Sequence, residues 1–267
     1  MQSIKDVSEA FKSLKFNNLA TSLESLIVEA ETQQLSYLQF ACAMVTKELQ
    51  QRDKRRVDLN QRKVDFPVLK HLEEFDYQHQ TTINKRQVNQ LLDFQFIENR
   101  QNLIFIGPPG VGKTHLAIGI GLKAITAGFK VLFTSMLALN EILELAQLKN
   151  ELKRKINELC KYDLLIVDEL GYLPLDKQSN YNLFQLIHSM YEYRSLIITT
   201  NKDFTQWGDF FCDNNIAVPI IDRIIHHAQI FMLGGESYRL KNSLNAQKNY
   251  LGWIKINDLK WINPNGH

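Results

Sequence analysis

The sequence predicts an α/β protein: a parallel sheet with helices on both faces, preceded by a small all-helical N-terminal domain. Three observations carry this. Residues 1–80 hold helical spacing and no strand pattern. Beyond about residue 95, short apolar runs alternate with helical segments, the arrangement that builds parallel sheets. A glycine-rich octapeptide, Gly107 to Thr114, joins one apolar run to one helical segment.

In the N-terminal part, Leu19, Leu23, Leu26, Ile27 and Ala30 recur at i, i+4, i+7, i+8 and i+11, one stripe of an amphipathic helix. Ser36 and Gln39 have capping-box spacing, and Leu38, Cys42, Val45 and Leu49 continue a second stripe. That second helix is expected to run through Lys63 and to stop before Pro67, since the residue before a proline avoids the helical region. Four runs then read as buried strands: Asn102–Ile106, Lys130–Thr134, Asp163–Asp168 and Ser195–Thr200. Thr114–Ala127, Leu137–Leu148 and Ser179–Glu192 read as the helices between them. The expected domains are 1–75, 76–245 and a tail, 246–267, to which no role is given.

Composition narrows the class. The 267 residues are 45% apolar and 22% charged, with 31 Lys and Arg against 29 Asp and Glu. That excludes an intrinsically disordered chain. Cys42, Cys160 and Cys212 are too scattered for a disulfide framework. No apolar run approaches the ~20 residues of a membrane helix. Asp6 and Glu9 stand where a signal peptide would be basic. The expectation is a cytoplasmic protein with no membrane partner.

Gly107-Pro108-Pro109-Gly110-Val111-Gly112-Lys113-Thr114 satisfies G-x-x-x-x-G-K-[ST] at every position. Between a strand and a helix, such glycines let the backbone turn so that consecutive N–H groups converge on phosphate oxygens. Lys113 is then placed for the β- and γ-phosphates and the Thr114 hydroxyl for Mg²⁺. Asp168 lies 55 residues after Lys113, at the end of the apolar run Leu164–Val167, where open α/β sheets bind ligands. It is a second candidate metal ligand, and Glu169 beside it is placed to orient or deprotonate an attacking water. Adjacent Asp-Glu favours hydrolysis over transfer to a small acceptor. Asn201, after Leu196–Thr200, either opens a turn or hydrogen-bonds the γ-phosphate and the lytic water.

Taken in order, these elements resemble P-loop ATPases of the AAA+ class. More closely they resemble the IstB family, ATPase helpers of insertion-sequence transposition related to the DnaC-type helicase loaders. The resemblance rests on GPPGVGKTHL (107–116), DELGYLPL (168–175), IITTN (197–201), Trp207-Gly208, DRIIHH (222–227) and GESYRL (235–240). The helical stretch from Leu14, the basic Arg52–Arg56 and Phe75-Asp76-Tyr77 fit as well, so about 230 residues are covered. It implies ATP and Mg²⁺ as cofactors, with His115 among the loop residues that hold nucleotide. It implies Arg223 as an arginine finger reaching a neighbouring subunit's site, and Arg239 as a sensor of the γ-phosphate. The alternative for either arginine is a carboxylate partner on its own subunit. His226-His227 has no metal-ligand spacing and reads as structural.

Lys47–Lys63 carries seven basic and three acidic residues. Arg52, Arg55 and Arg56 share a helical face, with Lys54 beside them. The run fits a solvated face with i, i+4 pairs, and it fits a surface that tracks phosphates. The resemblance implies duplex DNA as partner, bound largely without sequence preference, together with a cognate transposase and ATP-dependent self-association. The same motifs fit a helicase loader and a nucleotide-gated adaptor in which hydrolysis is incidental.

Overall fold

The computed structural model describes residues 3–64, 66–172, 174–211 and 214–241, and the chain divides into two compact units between Lys63 and Val64. The tail 246–267 lies outside the described residues.

The N-terminal unit holds three helices, α1 (Ile4–Ser13), α2 (Asn17–Thr32) and α3 (Tyr37–Lys63). Ser3 and Asp6 cap α1 reciprocally, with Ser3 N donating to Asp6 Oδ2 at 2.8 Å and Asp6 N to Ser3 Oγ at 3.3 Å. Ser36 and Gln39 repeat the box before α3, as their spacing predicts. The α2 stripe is core: Leu19, Leu23 and Leu26 are each 5% exposed. The α3 stripe is not. Leu38, Cys42, Val45 and Leu49 are exposed, and the covered side of α3 carries Phe40, Ala43, Met44, Lys47 and Glu48 instead. Buried Glu48 explains that rotation, because it accepts from Leu19 N at 3.2 Å and from Arg52 Nε at 2.9 Å. An acid bonded to the first turn of α2 fixes which face of α3 turns inward.

The second unit begins with α4 (Lys85–Gln90) and α5 (Gln95–Glu98). The alternation follows: β1 (Asn102–Ile106), α6 (Lys113–Thr126), β2 (Val131–Ser135), α7 (Met136–Leu148), α8 (Leu152–Leu159), β3 (Leu164–Leu170), α9 (Lys177–Met190), β4 (Ser195–Thr200), α10 (Trp207–Phe211), α11 (Asn214–Ile225) and β5 (Ala228–Met232). All five strands pair in parallel in the order β2-β3-β4-β1-β5. Leu103, Ile104, Phe105, Leu164, Leu165, Ile166 and Ile197 are fully buried because helices cover both faces of the sheet. At ~1.5–3 kcal/mol per buried large side chain, this platform is rigid. The order puts β1 between the central strand β4 and the edge strand β5, so the loop leaving β1 opens beside the end of β4. β5 is an edge strand of mixed exposure, with no run of buried residues for a sequence pattern to register. Among the described residues no helix is long and apolar enough to cross a membrane.

Candidate nucleotide site

The octapeptide forms the link from β1 to α6. Gly110 and Gly112 take φ of +83° and +99°, where a side chain is strained, and Gly112 is the N-cap of α6. The helix therefore starts at Lys113, and the unpaired amides of its first turn face the loop. Its 14 residues add a favourable dipole for an anion at that end. Gly107 N donates to Thr200 O at 3.2 Å, which holds the end of β4, and so Asn201, beside the start of the loop.

Lys113 Nζ donates to Gly107 O at 2.7 Å and to Pro108 O at 2.8 Å, folding the ammonium back over the loop. Burial pushes its pKa down; the charges of Asp168 and Glu169 oppose that, and Arg239 reinforces it. These three charged groups therefore lie within electrostatic reach of the lysine. Pro108 and Pro109 are exposed, while Val111 is buried and its carbonyl accepts from Gln80 Nε2 at 3.0 Å. The His115 ring turns aside: Nε2 lies 2.7 Å from His71 O, and the ring meets Phe75 edge-on at 5.3 Å. Only the backbone of His115, in the first turn of α6, is left to face a phosphate.

Asp168 is 8% exposed on β3, and Thr114 Oγ1 donates to its two oxygens at 2.9 and 3.2 Å. The expected metal ligands are thus in contact. Thr199, 1% exposed on β4, donates to Asp168 Oδ1, and its hydroxyl accepts from Glu169 N at 3.0 Å. Glu169 itself has φ of +63°, and the β3–β4 register shifts between Val167 and Leu170. This irregularity turns the Glu169 side chain out of the sheet, where it is exposed. Among the described residues no group of three or more His, Cys, Asp or Glu side chains is gathered for a metal. A hydroxyl and one carboxylate beside a phosphate loop suit Mg²⁺, which takes few protein ligands and completes its shell with phosphate oxygens and water.

Two segments press on the loop, and neither role is legible from spacing. From residues 71–83, the Phe75 ring stands where a Cβ on Gly112 would come within 2.6 Å of it. From residues 233–241, Leu233 N donates to Ile106 O at 2.7 Å and Tyr238 N to Gly110 O at 3.0 Å, while Ser237 lies against Gly110. The segments also join each other: His79 Nε2 lies 2.9 Å from Glu236 O, and Gly234 N donates to Thr82 Oγ1 at 3.2 Å. Phe75 and Tyr238 fall within motifs quoted for the resemblance. Gln80, His79 and Thr82 carry no sequence signal.

Lys113, Thr114, Asp168, Glu169 and Arg239 are thereby brought together, with Asn201 at the adjacent strand end. Arg223 is not among them. It lies on α11, where Nη1 donates to Pro219 O at 2.9 Å and the guanidinium sits 5.4 Å from the Phe184 ring and 5.9 Å from that of Tyr191. It lines a small pocket with Asn102 and Leu196, at the N-terminal ends of β1 and β4, opposite the strand ends that carry the loop. In the helical unit, Arg52 pairs with Glu48, Arg55 Nη2 donates to Asn18 Oδ1 at 2.9 Å, and Arg56 lies 3.3 Å from Asp53. Lys54 is exposed on the same helix.

The family described as IstB-like ATP binding protein matches residues 9–246. A protein of Pseudomonas aeruginosa named for insertion sequence IS21 and for ATP binding is 39% identical over 233 residues, 87% of this chain and 88% of its own length. Among solved structures, DnaI is similar over 61% of this chain and 90% of its own, at 18% identity and a TM-score of 0.52. AMPPCP-bound DnaA from Aquifex aeolicus is similar over 67% and 55%, at 18% identity and a TM-score of 0.50. These two likenesses concern the fold. The chain belongs to the IstB-like ATP-binding family and is a P-loop ATPase of AAA+ architecture.

Proposed function

We propose that this ATPase assembles on duplex DNA through nucleotide sites shared between subunits, selects or remodels the target DNA, and recruits a cognate transposase for insertion-sequence transposition in the cytoplasm. The observation that carries the reading is the separation of Arg223 from its own subunit's loop, while the other candidate groups converge on that loop. A site with every part but its finger is built to receive one from a neighbour.

Gly107–Gly112 and the first turn of α6, including the His115 backbone, cradle the phosphates of ATP. Lys113 exchanges its two loop carbonyls for β- and γ-phosphate oxygens. Thr114 and Asp168 would hold Mg²⁺, which supplies charge neutralisation at the phosphates when bound. Glu169 orients the attacking water and accepts its proton, and Asn201 and Arg239 contact the γ-phosphate. Arg223 of a neighbouring subunit offsets charge on the transferring phosphoryl, an effect worth ~10³–10⁵ in rate. The helical N-terminal domain supplies the DNA or partner contact. Of its basic residues Arg52, Lys54, Arg55 and Arg56, exposed Lys54 is the first candidate for a phosphate. Such contacts read backbone and carry little sequence preference.

The test is binding to duplex and single-stranded DNA, with ATP and with ADP, while the mass of the complex is recorded. Assembly of several subunits on duplex of arbitrary sequence, with ATP only, is the expected result. Binding to single strands alone, or assembly only when a replicative helicase is added, would overturn it in favour of a helicase loader.

A further inference from the structure

The geometry points to Thr199 as the positioning residue that sets the Asp168 side chain and the Glu169 backbone and ties both acids to the strand that leads into Asn201. This rests on the reading of Asp168 as metal ligand and Glu169 as water-orienting base. The Thr199 hydroxyl has one proton and two lone pairs, and both kinds of capacity are used across the β3–β4 junction. Its proton goes to Asp168 Oδ1, and a lone pair receives the Glu169 amide at 3.0 Å. One buried oxygen therefore fixes the rotamer of the first acid and the backbone of the second.

Both constraints are needed. Asp168 is nearly buried, and Thr114 is its other hydroxyl donor. When Thr114 turns to a metal ion, Thr199 is the donor left to hold the carboxylate in place. Glu169 occupies the left-handed region at φ +63°, a strained conformation for a non-glycine residue. The bond from its amide to Thr199 helps to hold that conformation. β4 ends at Thr200 and Asn201 follows directly, so a shift at the γ-phosphate end of β4 carries the acid pair with it. An isosteric valine keeps the packing of this 1% exposed site and removes both bonds.

The experiment measures Mn²⁺ binding, by electron paramagnetic resonance, to the full-length protein loaded with a non-hydrolysable ATP analogue. Analogue affinity in EDTA, thermal stability and ATP turnover are measured beside it. Thr199→Val should lower Mn²⁺ affinity and kcat by roughly ten- to a hundred-fold, the usual effect of losing an outer partner of a metal ligand. Analogue affinity in EDTA should stay at the native value, and Thr199→Ser should restore metal affinity and kcat. Native Mn²⁺ affinity in Thr199→Val would overturn the proposal. So would equal losses in Thr199→Ser and Thr199→Val, which would mark the methyl packing as what matters. Thr199→Ala replaces valine if the latter does not fold. Asp168→Asn separates the two levels: if it retains Mn²⁺, the reading of Asp168 fails; if it alone loses Mn²⁺, only the role of Thr199 fails.

Discussion

The phosphate loop and the arginine-rich helix α3 both carry cations on polar surfaces, but they hold them with different partners. Lys113 is bound by two loop carbonyls, which phosphate oxygens can replace with a gain in charge pairing. Arg52 is bound by buried Glu48, by Lys15 O at 3.1 Å and by the Phe16 ring, 5.0 Å from its guanidinium. Those partners knit α3 to the start of α2, and no incoming ligand replaces them without loosening the unit. A cation's present partner thus distinguishes a binding group from a structural one, where charge count and helical phase do not.

Substitutions can break that contrast, beginning with the largest effect. Lys113→Ala should weaken ATP by roughly a hundred-fold or more, since it removes charged hydrogen bonds worth ~1.5–3 kcal/mol each, while leaving the melting temperature near native. A fluorescent-nucleotide titration beside a thermal melt checks both halves. Phe75→Ala should do the reverse in part. Loss of a nearly buried ring that packs on Gly112, Tyr77 and His115 costs about 3 kcal/mol of stability, and nucleotide affinity falls with it. Chemical denaturation of this variant against the native chain measures the cost.

Gly110→Ala sharpens the comparison within the loop. Its φ of +83° costs about 1–2 kcal/mol for alanine, and the new Cβ would lie 2.1 Å from Ser237 Oγ. Adding Ser237→Gly should recover the part of the ATP affinity lost to the clash and not the part lost to φ, which a double-mutant cycle resolves. In α3, Arg52→Ala should cost about 1 kcal/mol of stability and Lys54→Ala close to nothing. In DNA titrations at several salt concentrations, Lys54→Ala should reduce the salt slope by about one and Arg52→Ala by less. The smallest effect is in pH. Burial lowers the Lys113 pKa, and only the protonated amine binds phosphate. ATP affinity should therefore be full at neutral pH and decline on the alkaline side sooner than for an ordinary lysine, with proton uptake on binding there. Calorimetry in two buffers of different ionisation heat detects that proton.

The core and the loop were legible because strands buried on both faces leave uninterrupted apolar runs, as in Leu164–Val167, and because the positive φ of Gly110 and Gly112 calls for glycine whatever else packs on the loop. Other features leave no such trace. Strand β5 is a half-exposed edge that opens on Ala228 and Gln229, and its apolar stretch from Ile230 lies partly in solvent, unlike the buried runs of the inner strands. The Leu38–Leu49 stripe has helical period but faces outward, since the Glu48–Leu19 bond sets the rotation of α3 and a period cannot reveal a bond. Thr199 sits in a strand where threonine is ordinary, and its role exists only because β3 shifts register beside it. Gln80 and His79 reach the loop and the 233–241 segment through tertiary packing of a polar stretch.

The central claim is that each nucleotide site is completed by a neighbour. Mixing two inactive proteins tests it most directly: Lys113→Ala, with no phosphate grip but an intact Arg223, and Arg223→Ala, with an intact loop. ATP turnover of the mixture on duplex DNA should rise well above the mean of the two proteins measured separately. Turnover equal to that mean, from subunits that still assemble together, would place every group needed for hydrolysis within one chain and contradict the account.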